Sequence, residues 1–241
     1  MTEKFAAIVL DVTRHNDKHN IVTAYTRTRG RVVFLSPCGS GKGAKLRQSR
    51  LQPLAVIEGE MRFSQTAELQ KLGSFSLREV WGDIYFHPVK QILVLFLSEF
   101  LNRLLKASMP DENMWDYIVS SLRLLDTMKS GVADFHIAFM ASLLPFAGIQ
   151  PDSSNYEPGM MFDLRAGIFT DNVPPHSDYL SGEEARLASI IIRVNFSNVK
   201  ALRLNREIRR GIIGGLLRYY AIHFPGTATL KSLDVIRDIF S

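Results

Sequence analysis

A run of basic side chains occupies the first quarter of the sequence. Seven lysines and arginines lie between residues 27 and 50, and no aspartate or glutamate interrupts them. They are Arg27, Arg29, Arg31, Lys42, Lys45, Arg47 and Arg50. Positive side chains in such a run can neutralise the phosphates of a nucleic acid or the carboxylates of an acidic protein. The run therefore indicates contact with a nucleic acid or with an acidic partner more than an idle solvated surface.

The spacing within this run predicts how the basic groups are presented. The arginines from residue 27 to 31 alternate, which places their side chains on one face if the strands continue through the turn at Arg29-Gly30. The others lie in residues 39–50, whose Gly and Ser content predicts a flexible loop that can follow phosphates. Tyr25, Phe34 and Phe63 belong to the same region, where they either stack on unpaired bases or fill a core. We favour the core for these aromatic rings.

A second basic cluster lies near the end of the chain, where Glu207 alone opposes it. Its members are Lys200, Arg203, Arg206, Arg209, Arg210 and Arg218. Arg203, Arg206 and Arg210 follow i, i+3, i+7 spacing and share one face of a continuous helix. Two interpretations stay open, a solvated amphipathic helix and a face that binds DNA or a partner. We include these three arginines among the candidate DNA-binding residues.

The patterns expected of an enzyme are missing from the sequence. Residues 39–43 resemble a phosphate-binding loop, but Gly43 follows Lys42 where that loop needs Ser or Thr, and Ser36 stands where it needs Gly. The six histidines are scattered and the single cysteine, Cys38, cannot build a zinc site with others. No Gly-x-Ser-x-Gly elbow occurs. We predict no catalytic residue, no metal site and no cofactor.

Composition and charge indicate a water-soluble protein with distinct surfaces. Hydrophobic residues make up 46% of the 241 residues and charged residues 22%, as in ordinary globular proteins. No apolar stretch is long enough to span a membrane, and the N-terminus lacks the pattern of a secretory signal, so we expect a cytoplasmic location. Lys and Arg outnumber Asp and Glu by 13 to 7 in residues 1–80 and by 9 to 3 in residues 193–241. In residues 81–192 the acidic groups lead by 14 to 7.

The hydrophobic pattern predicts an α+β protein with two domains. Five short strands within residues 1–82, the last over roughly residues 72–81, indicate a small closed barrel of OB type, with an SH3-like barrel as the competing interpretation. From residue 83 to 241 the period becomes helical, which predicts an all-helical domain with an irregular excursion at about residues 150–180 and a last long helix that begins near Asn205. The connection from Trp81 to Pro88 is short and apolar, unlike a flexible linker.

Four motifs in order resemble the RecO family of bacterial recombination mediators along nearly the whole chain. The opening contains Ile8-Val9-Leu10, followed later by Thr28-Arg29-Gly30-Arg31, and resembles the first strands of that family. Residues 43–54 resemble the basic loop that enters its fourth strand. Residues 135–152, which end in Gly148-Ile149-Gln150-Pro151-Asp152, resemble its helix with a Gly-x-x-Pro exit. The ending with Tyr219-Tyr220 and Leu230-Lys231-Ser232 resembles its closing helix.

This resemblance implies a protein that binds single- and double-stranded DNA and anneals complementary strands. It also implies contact with the partner RecR and with the C-terminal tail of single-stranded-DNA-binding protein, in support of RecA loading, without a cofactor or hydrolysis. Many members of the family hold zinc with four cysteines after the Gly-x-x-Pro segment, and residues 156–179 contain no cysteine. We expect packing to hold this excursion, through Met160, Met161, Phe162 and Phe169. The alternative functions are an adaptor that binds RNA or an acidic protein and an unrecognised enzyme.

Overall fold

The computed structural model describes residues 2–64, 66–202 and 204–240. It divides into two compact units, residues 1–126 and residues 127–241. The first unit extends beyond the barrel because it includes two helices that follow the sheet. The expected domain boundary between residues 82 and 83 stays a prediction.

The first unit contains six strands and three α-helices. The strands are β1 (Glu3–Arg14), β2 (His19–Thr26), β3 (Gly30–Pro37), β4 (Val56–Met61), β5 (Leu69–Lys71) and β6 (Phe75–Leu77). The helices are α1 (Lys42–Ser49), α2 (Pro88–Leu104) and α3 (Glu112–Thr127). Residues 42–49 form helix α1, so the prediction of a flexible loop for them was wrong. The last predicted strand, residues 72–81, is also corrected, since strand structure here covers β5 and β6 only.

The strand order identifies the barrel type. The sheet runs β5-β3-β2-β1-β4-β6. Strand β5 pairs parallel to β3 and β6 pairs antiparallel to β4, so residues 69–77 act as one kinked fifth strand that joins the two edges of the curled sheet. Five strands in this arrangement, with a helix between the third and the fourth, are of OB type. The predicted fold class is confirmed over the SH3-like alternative.

The barrel core comes from alternate residues of the central strands. Phe5, Ala7 and Val9 of β1 point inward together with Val22 of β2 and Phe34 of β3, all buried. The opposite face of β1 is also covered, because the Ser98 hydroxyl of α2 donates a hydrogen bond to the Leu10 carbonyl. Burial on both faces explains why β1 is a run of Val, Ile and Leu without clear alternation.

The connection after the barrel is packed, as its apolar sequence predicted. The Asp126 carboxylate at the end of α3 accepts hydrogen bonds from the backbone N–H groups of Gly82, Asp83 and Ile84, at 2.9, 2.8 and 2.8 Å. The fully buried Lys90 ammonium donates to the Asp83 carboxylate at 2.7 Å and to the Asp126 carbonyl at 2.8 Å. Burial by itself would raise the pKa of Asp126, but the three N–H donors and Lys90 lower it below its ordinary value.

The second unit is mostly helical. Its helices are α4 (Phe135–Leu143), α5 (Gly182–Ile191), α6 (Arg206–His223) and α7 (Leu233–Phe240). The expected start of the long helix near Asn205 is confirmed, because the Asn205 side chain caps α6 by accepting from the Ile208 N–H at 2.8 Å. In the part of the chain that the structure describes, no helix is both long and apolar enough to span a bilayer.

The excursion at residues 150–180 contains more regular structure than predicted. It forms a small antiparallel sheet of β7 (Met161–Asp163), β8 (Ile168–Thr170) and β9 (Tyr179–Leu180), in the order β8-β7-β9. Phe162 and Phe169 pack at 4.9 Å between ring centroids, and Phe162 meets Tyr219 of α6 at 5.6 Å. The Tyr219 hydroxyl donates to the Ile149 carbonyl at 2.9 Å. The expectation that packing holds the excursion is confirmed for the two phenylalanines.

Candidate nucleic-acid interface

The three arginines of the β2–β3 hairpin hold internal partners. The Arg27 guanidinium contacts the carboxylates of Glu112 and Asp116 on α3, at 3.0 and 3.3 Å. Arg31 is half-buried and donates to both the backbone and the side-chain oxygen of Asn102 on α2, at 2.8 Å each. Burial lowers the pKa of Arg31. These contacts attach the hairpin to the two helices, so only part of each arginine is free to meet a phosphate.

The hairpin turn lies against the segment that connects α2 to α3. Gly30 has a φ of +64°, which favours glycine, and a Cβ at this position would lie 2.6 Å from the Ser108 carbonyl. The Tyr25 hydroxyl accepts from the Asp111 N–H at 3.1 Å and fixes the start of α3 beside the hairpin. Tyr25 is fully buried, and burial raises the pKa of its hydroxyl. The turn is therefore an attachment point between sheet and helices.

Helix α1 presents basic groups that have no acidic partner. Lys42 and Lys45 are exposed and Arg50, at its C-terminal end, is half-buried. None of these three forms an ion pair within residues 2–64, 66–202 and 204–240. Arg47 differs, because its guanidinium donates to the Ser36 hydroxyl at 3.0 Å and to the carbonyls of Leu72 and Gly73 at 2.6 and 2.7 Å.

The Arg47 contacts hold α1 on the barrel. Its guanidinium also lies 4.7 Å from the centre of the Phe75 ring, and burial lowers its pKa. No residue of α1 is buried, so apolar packing contributes little to the position of the helix. Arg47 was predicted to touch DNA, and the structure gives it a set of internal partners that would compete with that role.

A second basic surface lies beside residues 30–32 of strand β3, which do not pair with β5. Arg29, Arg31 and Lys106 line an open pocket of about 360 Å³ together with Phe63. The Arg29 guanidinium lies 4.5 Å above the Phe63 ring and 2.5 Å from the Glu3 carboxylate. Lys106 was missed at the sequence level, because it follows α2 and only the fold brings it to the hairpin.

The aromatic rings of the barrel separate into core and surface groups. Phe34 is fully buried in the barrel core, which confirms the core interpretation for this residue. Tyr25 is also fully buried, but it lies outside the barrel core and packs on Trp115 of α3 at 6.4 Å between ring centroids. Phe63 is half-buried at the wall of the pocket, where it packs on Phe5 at 6.3 Å and on Phe34 at 6.4 Å. Its remaining free surface is shared with Arg29, so a base would meet a guanidinium as well as a ring.

The second basic cluster is only partly available. Arg206 and Arg210 are exposed on α6, whereas Arg209 bonds to the Asp134 carboxylate at 2.8 Å and Arg218 contacts Glu184 at 3.3 Å. Arg203 lies outside the described residues, so its predicted alignment with the other two stays a prediction. No group of three His, Cys, Asp or Glu side chains suited to a metal ion occurs among the described residues.

Two family models match the chain almost from end to end. The model described as Recombination protein O N terminal matches residues 1–81, and the model described as Recombination protein O C terminal matches residues 87–234. The curated relatives are each named DNA repair protein RecO. The one from Bacteroides fragilis is 33% identical over 241 residues, which is 100% of both chains.

Two other relatives show the same full-length similarity. The protein from Phocaeicola vulgatus is 30% identical over 241 residues, again 100% of both chains. The protein from Porphyromonas gingivalis is 33% identical over 239 residues, which is 97% of each chain.

Proposed function

The chain belongs to the RecO family of recombination proteins, and on this premise we propose that it serves in DNA repair as a DNA-binding recombination mediator. It binds single- and double-stranded DNA through the basic surface of its barrel and anneals complementary strands. Lysines that neutralise the phosphates of two strands lower the repulsion that opposes pairing. The proposed role needs neither hydrolysis nor a cofactor, and it places the protein in the cytoplasm beside the nucleoid.

The observation that carries this proposal is the set of basic groups on α1 without acidic partners. Lys42 and Lys45 are exposed on a short helix between the third and fourth strands of an OB-type barrel. Phosphates can approach these two lysines without first displacing a carboxylate, whereas Arg27 and Arg29 are each paired with one. Contacts of this kind position a strand without reading its sequence.

The test is a salt titration of DNA binding by the double variant K42A/K45A. The slope of log affinity against log salt should shrink by about 1.4, at roughly 0.7 per contact with a single strand. The loss should be alike for unrelated DNA sequences, and the melting temperature should hardly change because both side chains are exposed. The matched control K4A/K18A removes two other exposed lysines of the same unit and should leave the slope unchanged. A variant K42A/K45A with the wild-type slope would contradict the assignment of α1.

We propose that RecR and the C-terminal tail of single-stranded-DNA-binding protein are its protein partners in loading RecA. An apolar pocket of the second unit, lined among others by Phe162, Ile191, Leu216 and Tyr219, is our candidate site for that tail. Its free volume of about 20 Å³ admits little more than one water-sized sphere, so the pocket has to widen to accept an apolar side chain.

The second candidate function is an adaptor whose basic barrel binds RNA or an acidic protein. The observation that favours it is the open pocket beside β3, where Phe63, Arg29 and Lys106 would accept any flexible polyanion with flat groups. Competition decides between the two. Unlabelled RNA that displaces DNA at a small fraction of the concentration needed for unlabelled DNA would favour the adaptor.

A further inference from the structure

Helix α1 has the reverse of the usual polarity of a surface helix. An amphipathic helix ordinarily turns apolar side chains to the core and charged ones to water. In α1 the charged Arg47 faces the barrel and bonds to Ser36, Leu72 and Gly73. The apolar Leu46 is 55% exposed. The contacts of Arg47 thus set which way Leu46 points.

The neighbours of Leu46 select the kind of molecule that can cover it. Lys42 lies four residues before it and Arg50 four residues after it, so each is a neighbour of Leu46 along the helix surface, and Lys45 is adjacent in sequence. No residue of α1 is acidic. A partner that meets this surface must carry negative charge around an apolar group. A single strand of DNA does so, because its phosphates flank the faces of unpaired bases.

We propose that Leu46 contacts the bases of a single strand whose phosphates lie on Lys42 and Lys45, and that it thereby favours single-stranded over double-stranded DNA. This proposal rests on the DNA-binding function proposed above and adds a residue that determines strand selectivity. In a single strand the faces of the bases are accessible. In a duplex they are stacked, and opening one step costs more than burying half of a leucine returns. Leu46 therefore adds affinity for one form only.

The experiment compares the variants L46Q and L124Q on single- and double-stranded DNA of equal length. Gln keeps a high helix propensity, so α1 should remain folded. The affinity of L46Q for the single strand should fall about fivefold, as expected for the exposed half of a leucine side chain, with an unchanged salt slope. Its affinity for the duplex should stay at the wild-type value. Leu124 is 38% exposed on α3, and L124Q should change neither affinity.

A third variant, L46M, keeps an apolar side chain and should retain the wild-type selectivity. Equal loss on both forms of DNA, or no loss with L46Q, would overturn the role of Leu46. If K42A/K45A weakens binding while L46Q keeps the selectivity, the DNA-binding function stands and this inference fails alone. If the wild-type protein shows no salt-dependent binding to DNA, both fail together.

Discussion

Replacing Arg47 with Ala should release α1 from the barrel without removing a phosphate contact. The variant loses three hydrogen bonds, to the Ser36 hydroxyl and to the carbonyls of Leu72 and Gly73, and the contact with the Phe75 ring. Bonds from a charged donor stabilise by roughly 1.5–3 kcal/mol each when buried, and partial exposure of Arg47 places them at or below the low end. We expect a loss of about 2–3 kcal/mol.

Most of this free energy should appear as local unfolding. Helix α1 has eight residues and buries none of them, and isolated helices of this length are marginal in water. Hydrogen exchange should therefore show loss of amide protection in residues 45–51 of R47A, with the amides of β1 and β2 still protected. DNA affinity should fall because the lysines are no longer fixed. The salt slope should stay unchanged because Lys42 and Lys45 are still present.

The variant R47K is the control for charge. Lys keeps the positive charge but cannot donate in the fixed fork that reaches two carbonyls and a hydroxyl, so R47K should behave like R47A. Arg47 does not act as the anchor of α1 if R47K restores full affinity and R47A lowers the salt slope by about 0.7 while the amides of α1 stay protected. Arg47 would then be a phosphate contact, as its sequence position alone indicated.

Two further predictions concern stability. Burial, followed by the charge of Arg209, lowers the pKa of His136 to about 3, whereas the unfolded chain has the ordinary value near 6.5, so stability that is present above pH 6.5 is lost as the pH falls toward 3. For the wild type, the free energy of unfolding measured with urea should be about 2 kcal/mol lower at pH 5 than at pH 7.5. In H136Q most of this pH dependence should disappear, and an equal pH dependence in the two proteins would contradict the prediction. The variant D126A should lose about 3 kcal/mol because three backbone N–H groups lose a charged acceptor, and exposed D17A should lose under about 0.5 kcal/mol, both measured by thermal melting.

The sequence predicted those elements whose signals are local. Strand β1 is recognisable because a strand buried on both faces needs a continuous apolar run, and α6 because Asn205 caps it directly. Helix α1 gave no such signal, since it buries no residue and Gly43 lowers its helix propensity. The strands β7 to β9 have two or three residues each, too few to show alternation.

The basic run was identified from sequence, but the state of each cation was not. Arg27 meets Glu112 over a separation of 85 residues, and Arg31 meets Asn102 over 71. These partners are determined by how α2 and α3 pack on the sheet. The residues near the arginines in the sequence give no indication of them. A count of charges does not distinguish Lys42 and Lys45 from these arginines. Only the fold shows which cations have internal partners.

The separation follows the chemistry of the two side chains. A guanidinium has five donors in a fixed plane and can hold several oxygens at once. Arg31 holds the backbone and side-chain oxygens of Asn102, and Arg47 holds two carbonyls and a hydroxyl. An exposed ammonium on a flexible stem, such as that of Lys42 or Lys45, gains less from a fixed site and keeps its hydration. In this unit Arg27, Arg31 and Arg47 therefore hold helices on the sheet, whereas the two lysines of α1 keep their charge available. A strand that must be bound, shifted and released, as in the annealing proposed above, suits contacts of the second kind, because each lysine can follow a moving phosphate without breaking the fold.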